Sequence, residues 1–336
     1  MASDIGSFRH RALTAPYTPD ISVHHPYNTP FGLTEQVVYF YGGWREADGT
    51  LHVFERKFIG PMTAGLWLMN ARGGEVTIEP DSAKTVRGEV KREYSDDRVL
   101  LHGAMMEKVG GSGGAFRFEA TPGAFEWREG DDLLSLTGSL VGPGVQIYAP
   151  DQDEPILYIS ELYKVEGTVL GDGVEGFVFW DHAYWPSGYD WKEYRVFKDL
   201  QLGWEAFANE YDDGTVEWGH LCIGRNGFNF TGVNDQNGPL VMDSTVTGGI
   251  DLGDDEWAQR ALWRASTGEA WTFELEKGGK LSEFTAARWG GYRAQAGHTR
   301  RVGEGRQVRL GFSWLETFGD RIRESKIPAV DDVANR

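Results

Sequence analysis

Apolar residues recur at every second position through segment after segment of this chain, and that period belongs to the β-strand. In "GTVEWGHLC" (Gly214–Cys222) and "WTFELE" (Trp271–Glu276) it predicts a strand with one face on an interior and the other on water. "EQVVYFYGGW" (Glu35–Trp44) precedes "LHVFERKF" (Leu51–Phe58), and the "ADG" between them is a hairpin turn signal. "AFRFEA" and "AFEWREG" follow the loose "GGSGG" at Gly110–Gly114, which lacks the Lys-Ser/Thr pair and the helix of a phosphate cradle. "YDDGT", "STGEA" and "EKGGK" place turns at the intervals of meandering antiparallel sheets. No amphipathic helix longer than about three turns is legible. Short helices are expected at most around Asn28–Leu33 and near Asp320.

The fold class read from this pattern is all-β with little helix. Aromatics at 13%, including 13 Trp, together with 45 Gly fit aromatic strands joined by tight turns. A chain of 336 residues suits one large or two ordinary domains. "APDQDEP" (Ala149–Pro155) is acidic and proline-flanked and lies between two strand-rich halves. It predicts domains at 1–152 and 153–336, each large enough for a barrel or sandwich. No short repeat recurs at a fixed period, so a propeller is not expected.

Lys and Arg number 33 against 51 Asp and Glu, a net charge of −18. That balance argues against a nucleic-acid partner and against anionic lipid, and favours solubility through self-repulsion. Cys222 is the one cysteine, so no intramolecular disulfide forms; on a strand it reads as a small core residue. The opening "MASDIGSFRHRALTAPYTPD" has no apolar signal region, and no stretch approaches the roughly 18 apolar residues of a membrane span. The chain is expected to be cytoplasmic, without membrane insertion. No His-x-His, His-x-x-x-His or Cys cluster supplies metal-chelate spacing, so no metal is expected. Neither a Gly-x-Ser-x-Gly turn nor a dinucleotide fingerprint is present.

"FWDHAYWPSGYDW" (Phe179–Trp191) is the chemically unusual stretch, with three tryptophans and two tyrosines around Asp181 and His182. The pair follows the apolar "EGFVFW" and precedes the turn-prone "AYWPSG", which places it near a strand end. A carboxyl beside Trp180, Tyr184 and Trp185 is partly desolvated, which favours its protonated form. Such an acid can donate a proton, and a nearby imidazole can position water. The competing reading is an Asp that caps the turn with its His bonded to backbone. Trp67, Trp127, Trp191, Trp204, Trp218, Trp263, Trp271, Trp289 and Trp314 are further candidate wall residues as a population. Tyr194 joins the candidate substrate contacts. Glu161 is a candidate whose facing is ambiguous, and His220 shares its parity with Trp218. His24 and His25, adjacent on a strand, would face opposite ways.

Four segments together resemble the carotenoid 1,2-hydratase and AttH-like superfamily, built from two calycin (lipocalin-like) halves. Kievitone hydratase and the fungal decalin-forming Diels–Alderases share its architecture. "LTEQVVYFYGGWREADGTLHVFERKF" (Leu33–Phe58) is similar to the opening hairpin of that group, with Glu35, Tyr39, Gly42, Asp48 and Gly49 in matching places. "EGFVFWDHAYW" (Glu175–Trp185) resembles its Asp-His-x-Trp-Gly segment, with Trp185 one place late and Pro186 where Gly is usual. "LGWEAFANEYDDG" (Leu202–Gly214) and "GFSWLETFG" (Gly311–Gly319) resemble later strands.

The resemblance implies two tandem lipocalin-like barrels or sandwiches. It also implies an enzyme without cofactor acting on a hydrophobic unsaturated molecule of terpenoid, polyketide or steroid-like type. Asp181 would protonate an alkene and His182 would orient water, giving hydration, dehydration, isomerisation or cyclisation. A later acid, Glu205, Glu210 or Asp212, would assist. The alternative is a non-catalytic carrier of hydrophobic small molecules. Oligomeric state is left open.

Overall fold

The computed structural model describes residues 11–25, 28–59, 62–79, 90–104, 115–130, 133–151, 153–186, 194–284 and 291–334, with 62–65, 67, 104 and 284 described by backbone alone. Trp191, Trp289, the Trp67 side chain and Gly110–Gly114 lie outside the described residues.

The protein is all-β, with two curled antiparallel sheets. The first contains β1 (Leu13–Tyr17), β2 (Thr34–Arg45), β3 (Leu51–Ile59), β4 (Met62–Asn70), β5 (Thr77–Ile78), β6 (Lys91–Ser95) and β7 (Arg98–Ala104). It continues with β8 (Ala115–Thr121), β9 (Ala124–Glu129), β10 (Leu134–Leu140), β11 (Gly144–Ala149), β12 (Ile156–Val169) and β13 (Asp172–Trp185). The second contains β14 (Gly203–Tyr211), β15 (Val216–Ile223), β16 (Phe230–Asp235), β17 (Gly238–Asp243) and β18 (Thr247–Leu252). Its remaining strands are β19 (Ala258–Arg264), β20 (Ala270–Lys280), β21 (Tyr292–Arg301) and β22 (Val308–Phe318).

Helix is confined to short pieces: α1 (Arg195–Leu200), α2 (Gly319–Ser325), α3 (Val330–Ala334) and single 3-10 turns, including Ile21–His24 and Pro30–Gly32. The turn at Pro30 and α2 fall where short helices were expected. Among the described residues no helix is long and apolar enough to cross a membrane.

The loop Ala149–Pro155 does not separate the sheets. It joins β11 to β12, which pair with each other, Ala149 opposite Ile156. The expected division at 152/153 therefore cuts through the first sheet, and the chain passes to the second between Trp185 and Gly203. A hairpin loop and a linker carry the same residue types; only long-range pairing tells them apart.

Each sheet curls around its own apolar interior. Phe40, Phe54, Phe118, Trp127 and Trp180 fill the first, with a buried Arg56–Glu129 ion pair among them. Phe207, Trp263, Trp271 and Phe273 fill the second. A third apolar layer lies between the sheets and draws Phe177, Phe179 and Trp185 from one and Trp204, Trp218 and Phe312 from the other. Each such side chain, once buried, contributes on the order of 2–3 kcal/mol.

The central strands β13 and β14 are thus covered on both faces and are buried at nearly every position, Glu205, Asn209, Asp181 and His182 included. Strands β8 and β10, farther from the second sheet, alternate between core and water. β15 belongs with the central group: every residue from Val216 to Ile223 is buried, so the water-facing side expected of "GTVEWGHLC" is covered instead by the neighbouring sheet.

The "GG" of "YGGW" serves two close approaches. A Cβ on Gly42 would stand 1.9 Å from the carbonyl oxygen of Phe177 on the paired strand β13. One on Gly43 would stand 2.3 Å from the His52 carbonyl oxygen and 3.0 Å from the Phe312 ring of the second sheet.

Candidate functional site

β13 runs through Trp185, so Asp181 and His182 lie within a paired strand and not at its end. Asp181 is opposite Ser160 on β12 and Tyr39 on β2. Alternation then sends the two side chains to opposite faces. Asp181 points between the sheets with Phe179. His182 points into the first sheet's interior with Trp180 and Tyr184.

Asp181 is fully buried. The Tyr158 hydroxyl donates to its Oδ2, while Oδ1 has no hydrogen-bond partner among the described residues. Burial pushes the carboxyl up to about 7, against the opposing influence of the Ser160, Tyr158 and Tyr41 hydroxyls. The imidazole on this side is His220, from β15 of the other sheet. Its Nε2 is 2.9 Å from Ser160 Oγ, and burial lowers it to about 3, so it is neutral. Aromatic rings surround the group: Trp204 is 5.1 Å from Tyr158 and 5.6 Å from His220 between centroids, and Phe179 is 6.0 Å from both Trp218 and Phe312.

Next to it lies a polar end that sequence reasoning missed. Tyr39 and Tyr41 pair across β2 and β3 with Lys57 and Glu55, and all four face the second sheet. Glu316 on β22 meets them, accepting from Tyr292 Oη at 2.6 Å and Gln201 Nε2 at 2.6 Å. Burial raises Glu55 to about 7 and raises Glu316 as well. Yet Tyr39, Tyr41, Glu55, Lys57, Tyr158, Trp314 and Glu316 are only half-buried by area. Surface that remains open among groups so thoroughly desolvated describes a recess between the sheets. "FERKF" carries no signal of this, because alternating charges on one strand face read as a solvated side.

The other face of β13 carries a separate buried chain of hydrogen bonds. Arg92 Nη1 donates to Glu35 Oε1 at 2.7 Å; Glu35 Oε2 lies 2.8 Å from His182 Nδ1. His182 Nε2 lies 2.8 Å from His24 Nδ1, and His24 Nε2 lies 3.1 Å from Glu161 Oε1. Tyr17 and Tyr163 hydroxyls close the chain on Glu161 at 3.0 and 2.8 Å. His24 also stacks on Trp180 with centroids 3.7 Å apart.

Burial opposes the charge on Glu35, but His182 and Arg92 outweigh it and hold that carboxyl at about 2. Burial likewise opposes the charge on Glu161, and His24 with the two tyrosines keeps it below the ordinary value. Three hydrogen bonds thus run from one carboxyl to the other through the two imidazoles, and burial lowers the His182 imidazole below its ordinary value. His182 is therefore committed to this network and does not reach the recess, because adjacent strand residues diverge.

The remaining candidates divide in the same way. Trp204, Trp218 and His220 border the space around Asp181. Trp180, Tyr184 and Glu161 face the first interior, where the Tyr184 hydroxyl donates to the Val23 carbonyl at 3.3 Å. Trp185 and Tyr194 pack with Phe197 of α1, and the Tyr194 hydroxyl is tied to the Pro155 carbonyl at 3.1 Å. None of the three later acids reaches Asp181. Glu205 faces the second interior, bonded to Thr299 and Ser313 at 2.7 Å each, and burial raises it to about 8. Glu210 pairs with Lys164 and Arg309, and Asp212 is exposed in a turn. Among the described residues no group of three or more His, Cys, Asp or Glu could hold a metal ion.

No family model and no curated protein matches the chain. Solved structures do. A candidate AttH from Nitrosomonas europaea is 14% identical, covering 89% of this chain and 99% of its own, with a TM-score of 0.39. CghA is 10% identical, covering 92% and 98%, with a TM-score of 0.46. Kievitone hydratase from Nectria haematococca is 9% identical, covering 92% and 97%, with a TM-score of 0.40.

Proposed function

We propose that the protein is a cofactor-independent acid–base enzyme acting on a hydrophobic unsaturated small molecule of terpenoid, polyketide or steroid-like type, held between the sheets. The observation that carries this is Asp181: a fully buried carboxyl whose proton burial holds up to about pH 7, with aromatic rings and tyrosine hydroxyls around it. A structural aspartate at such a place would be expected to be ionised and paired.

In the proposed reaction Asp181 transfers its proton to one carbon of a double bond. The cation left on the other carbon is stabilised by the faces of Trp204 and Phe179. Water adds to it and returns a proton to the Asp181 carboxylate, so the net reaction is hydration. Loss of a proton from a neighbouring carbon to the same carboxylate gives isomerisation instead. His220, neutral and bonded to Ser160, positions the hydroxyl beside Asp181.

The test is a panel of hydrophobic alkenes incubated in D2O and read by mass spectrometry for deuterium uptake. Asp181→Asn should end the uptake while tryptophan quenching by the same alkenes persists. Binding by the parent protein with no uptake from any alkene would favour a carrier of hydrophobic molecules.

A further inference from the structure

We propose that the attacking water is held by His220 Nδ1, so that the cation formed at Asp181 is captured as an alcohol and not released as a shifted alkene. This rests on the acid–base reading of Asp181 and assigns its second reactant, water, to a residue of the other sheet. The resemblance gives that part to His182, but both ring nitrogens of His182 are engaged inside the first sheet, by Glu35 and His24.

Ser160 stands directly opposite Asp181 where β12 pairs with β13, so the two side chains share a face. His220 reaches Ser160 from β15, with Nε2 2.9 Å from Oγ, and all three residues are fully buried. The Ser160 hydroxyl favours the ionised form of Asp181, which requires its O–H to point at the carboxyl. Its lone pairs are then left for His220, which must donate from Nε2. Nδ1 is therefore the bare nitrogen of a neutral ring. It has no hydrogen-bond partner among the described residues, and neither has Asp181 Oδ1. A buried acceptor in this state calls for a donor. Phe179 and Trp204, the rings proposed to face the cation, lie 5.5 and 5.6 Å from the His220 ring between centroids.

One water O–H donates to Nδ1, which fixes the oxygen and leaves its lone pair for the cation. As the oxygen bonds the cationic carbon, the other O–H gives its proton to the Asp181 carboxylate, and the first proton stays on the new alcohol. The imidazole begins and ends as the same neutral tautomer, and one water is consumed per alkene. Without a group to hold water in this apolar layer, the cation would lose a neighbouring proton instead.

The alkene panel is run in D2O whose oxygen is isotopically labelled, and mass spectrometry reads the two labels separately. Deuterium on carbon reports the acid; labelled oxygen reports capture by water. The parent protein should install both. His220→Phe keeps a ring and removes both nitrogens, so labelled oxygen should fall by about tenfold or more, the worth of one hydrogen bond, while deuterium still appears in shifted alkene. Ser160→Ala frees the tautomer and should move the product ratio the same way, with Ser160→Thr restoring it. NMR of labelled histidine nitrogens in the parent protein should show Nε2 of His220 protonated and Nδ1 bare. Thermal unfolding shows whether each variant folds; if His220→Phe does not, the tautomer and the Ser160 variants decide. A protonated Nδ1, or a product ratio unchanged in the folded variants, overturns the proposal. Deuterium uptake without labelled oxygen in the parent protein overturns this proposal alone, whereas no deuterium uptake from any alkene overturns the acid–base reading and this proposal with it.

Discussion

Asp181 and His182 share a peptide bond yet face opposite sides of β13. The carboxyl meets Tyr158 between the sheets, while the imidazole lies 2.8 Å from His24 inside the first. An Asp-His pair that looks like one acid–base unit is therefore two separate devices. The acid belongs to the recess, and its imidazole neighbour there is His220, supplied by the other sheet.

Asp181 carries a pH signature with a definite sign. Its carboxyl is raised from 3.8 to about 7, so the folded protein holds a proton that the unfolded chain has released. Stability from this group is complete below about pH 4 and is lost as pH rises through about 7, by at most about 4 kcal/mol. Glu55 at about 7 and Glu205 at about 8 act in the same direction. Urea unfolding should show a less stable protein at pH 8 than at pH 5, with a smaller difference in Asp181→Asn. Turnover that needs the protonated acid should fall over the same range.

Tyr158→Phe removes the hydroxyl that favours the ionised form of Asp181. The carboxyl should titrate at higher pH, and the alkaline limb of the activity profile should move up with it. Infrared titration of the carboxyl band reads this directly; a limb that moves down would refute the assignment of Tyr158 as donor.

His24→Ala takes the centre out of the chain between Glu35 and Glu161. His182 Nε2 loses its partner and Glu161 keeps only the two tyrosines. Breaking a buried charged network in this way costs about 3–5 kcal/mol. Denaturant unfolding of the variant should register a loss of that size, whereas an effect within experimental error would show that the chain stabilises little.

Gly43→Ala tests the approach of the sheets. The new Cβ would overlap the His52 carbonyl oxygen at 2.3 Å and press on Phe312 at 3.0 Å. Backbone must shift, at a cost of about 1–3 kcal/mol. A melting temperature unchanged by the substitution would mean that the layers are looser than this packing implies.

Much of the fold is legible in the chain. The hairpin of Glu35–Trp44 with Leu51–Phe58 forms as read, as β2 and β3. The turn at "YDDGT" joins β14 to β15. The division at 152/153 is not legible, since the acidic loop it rests on closes a hairpin between β11 and β12. The site divides similarly. Asp181, Trp204, Trp218 and His220 come together as candidates of one region, because aromatic and titratable residues on apolar strands stand out. Glu55, Lys57 and Glu316 do not stand out: on "FERKF" and "WLETF" they have the period of a face turned to water.

Period-two alternation by itself determines that this chain forms antiparallel strands, and the parity of each strand determines which side chains share a face. What covers each face is decided by the tertiary structure alone. Lys57 and Glu55 would be solvated residues on an isolated first sheet, and Asp181 an ordinary carboxylate. The second sheet packs over them and desolvates them, and desolvation by residues of another sheet is not written in any local pattern.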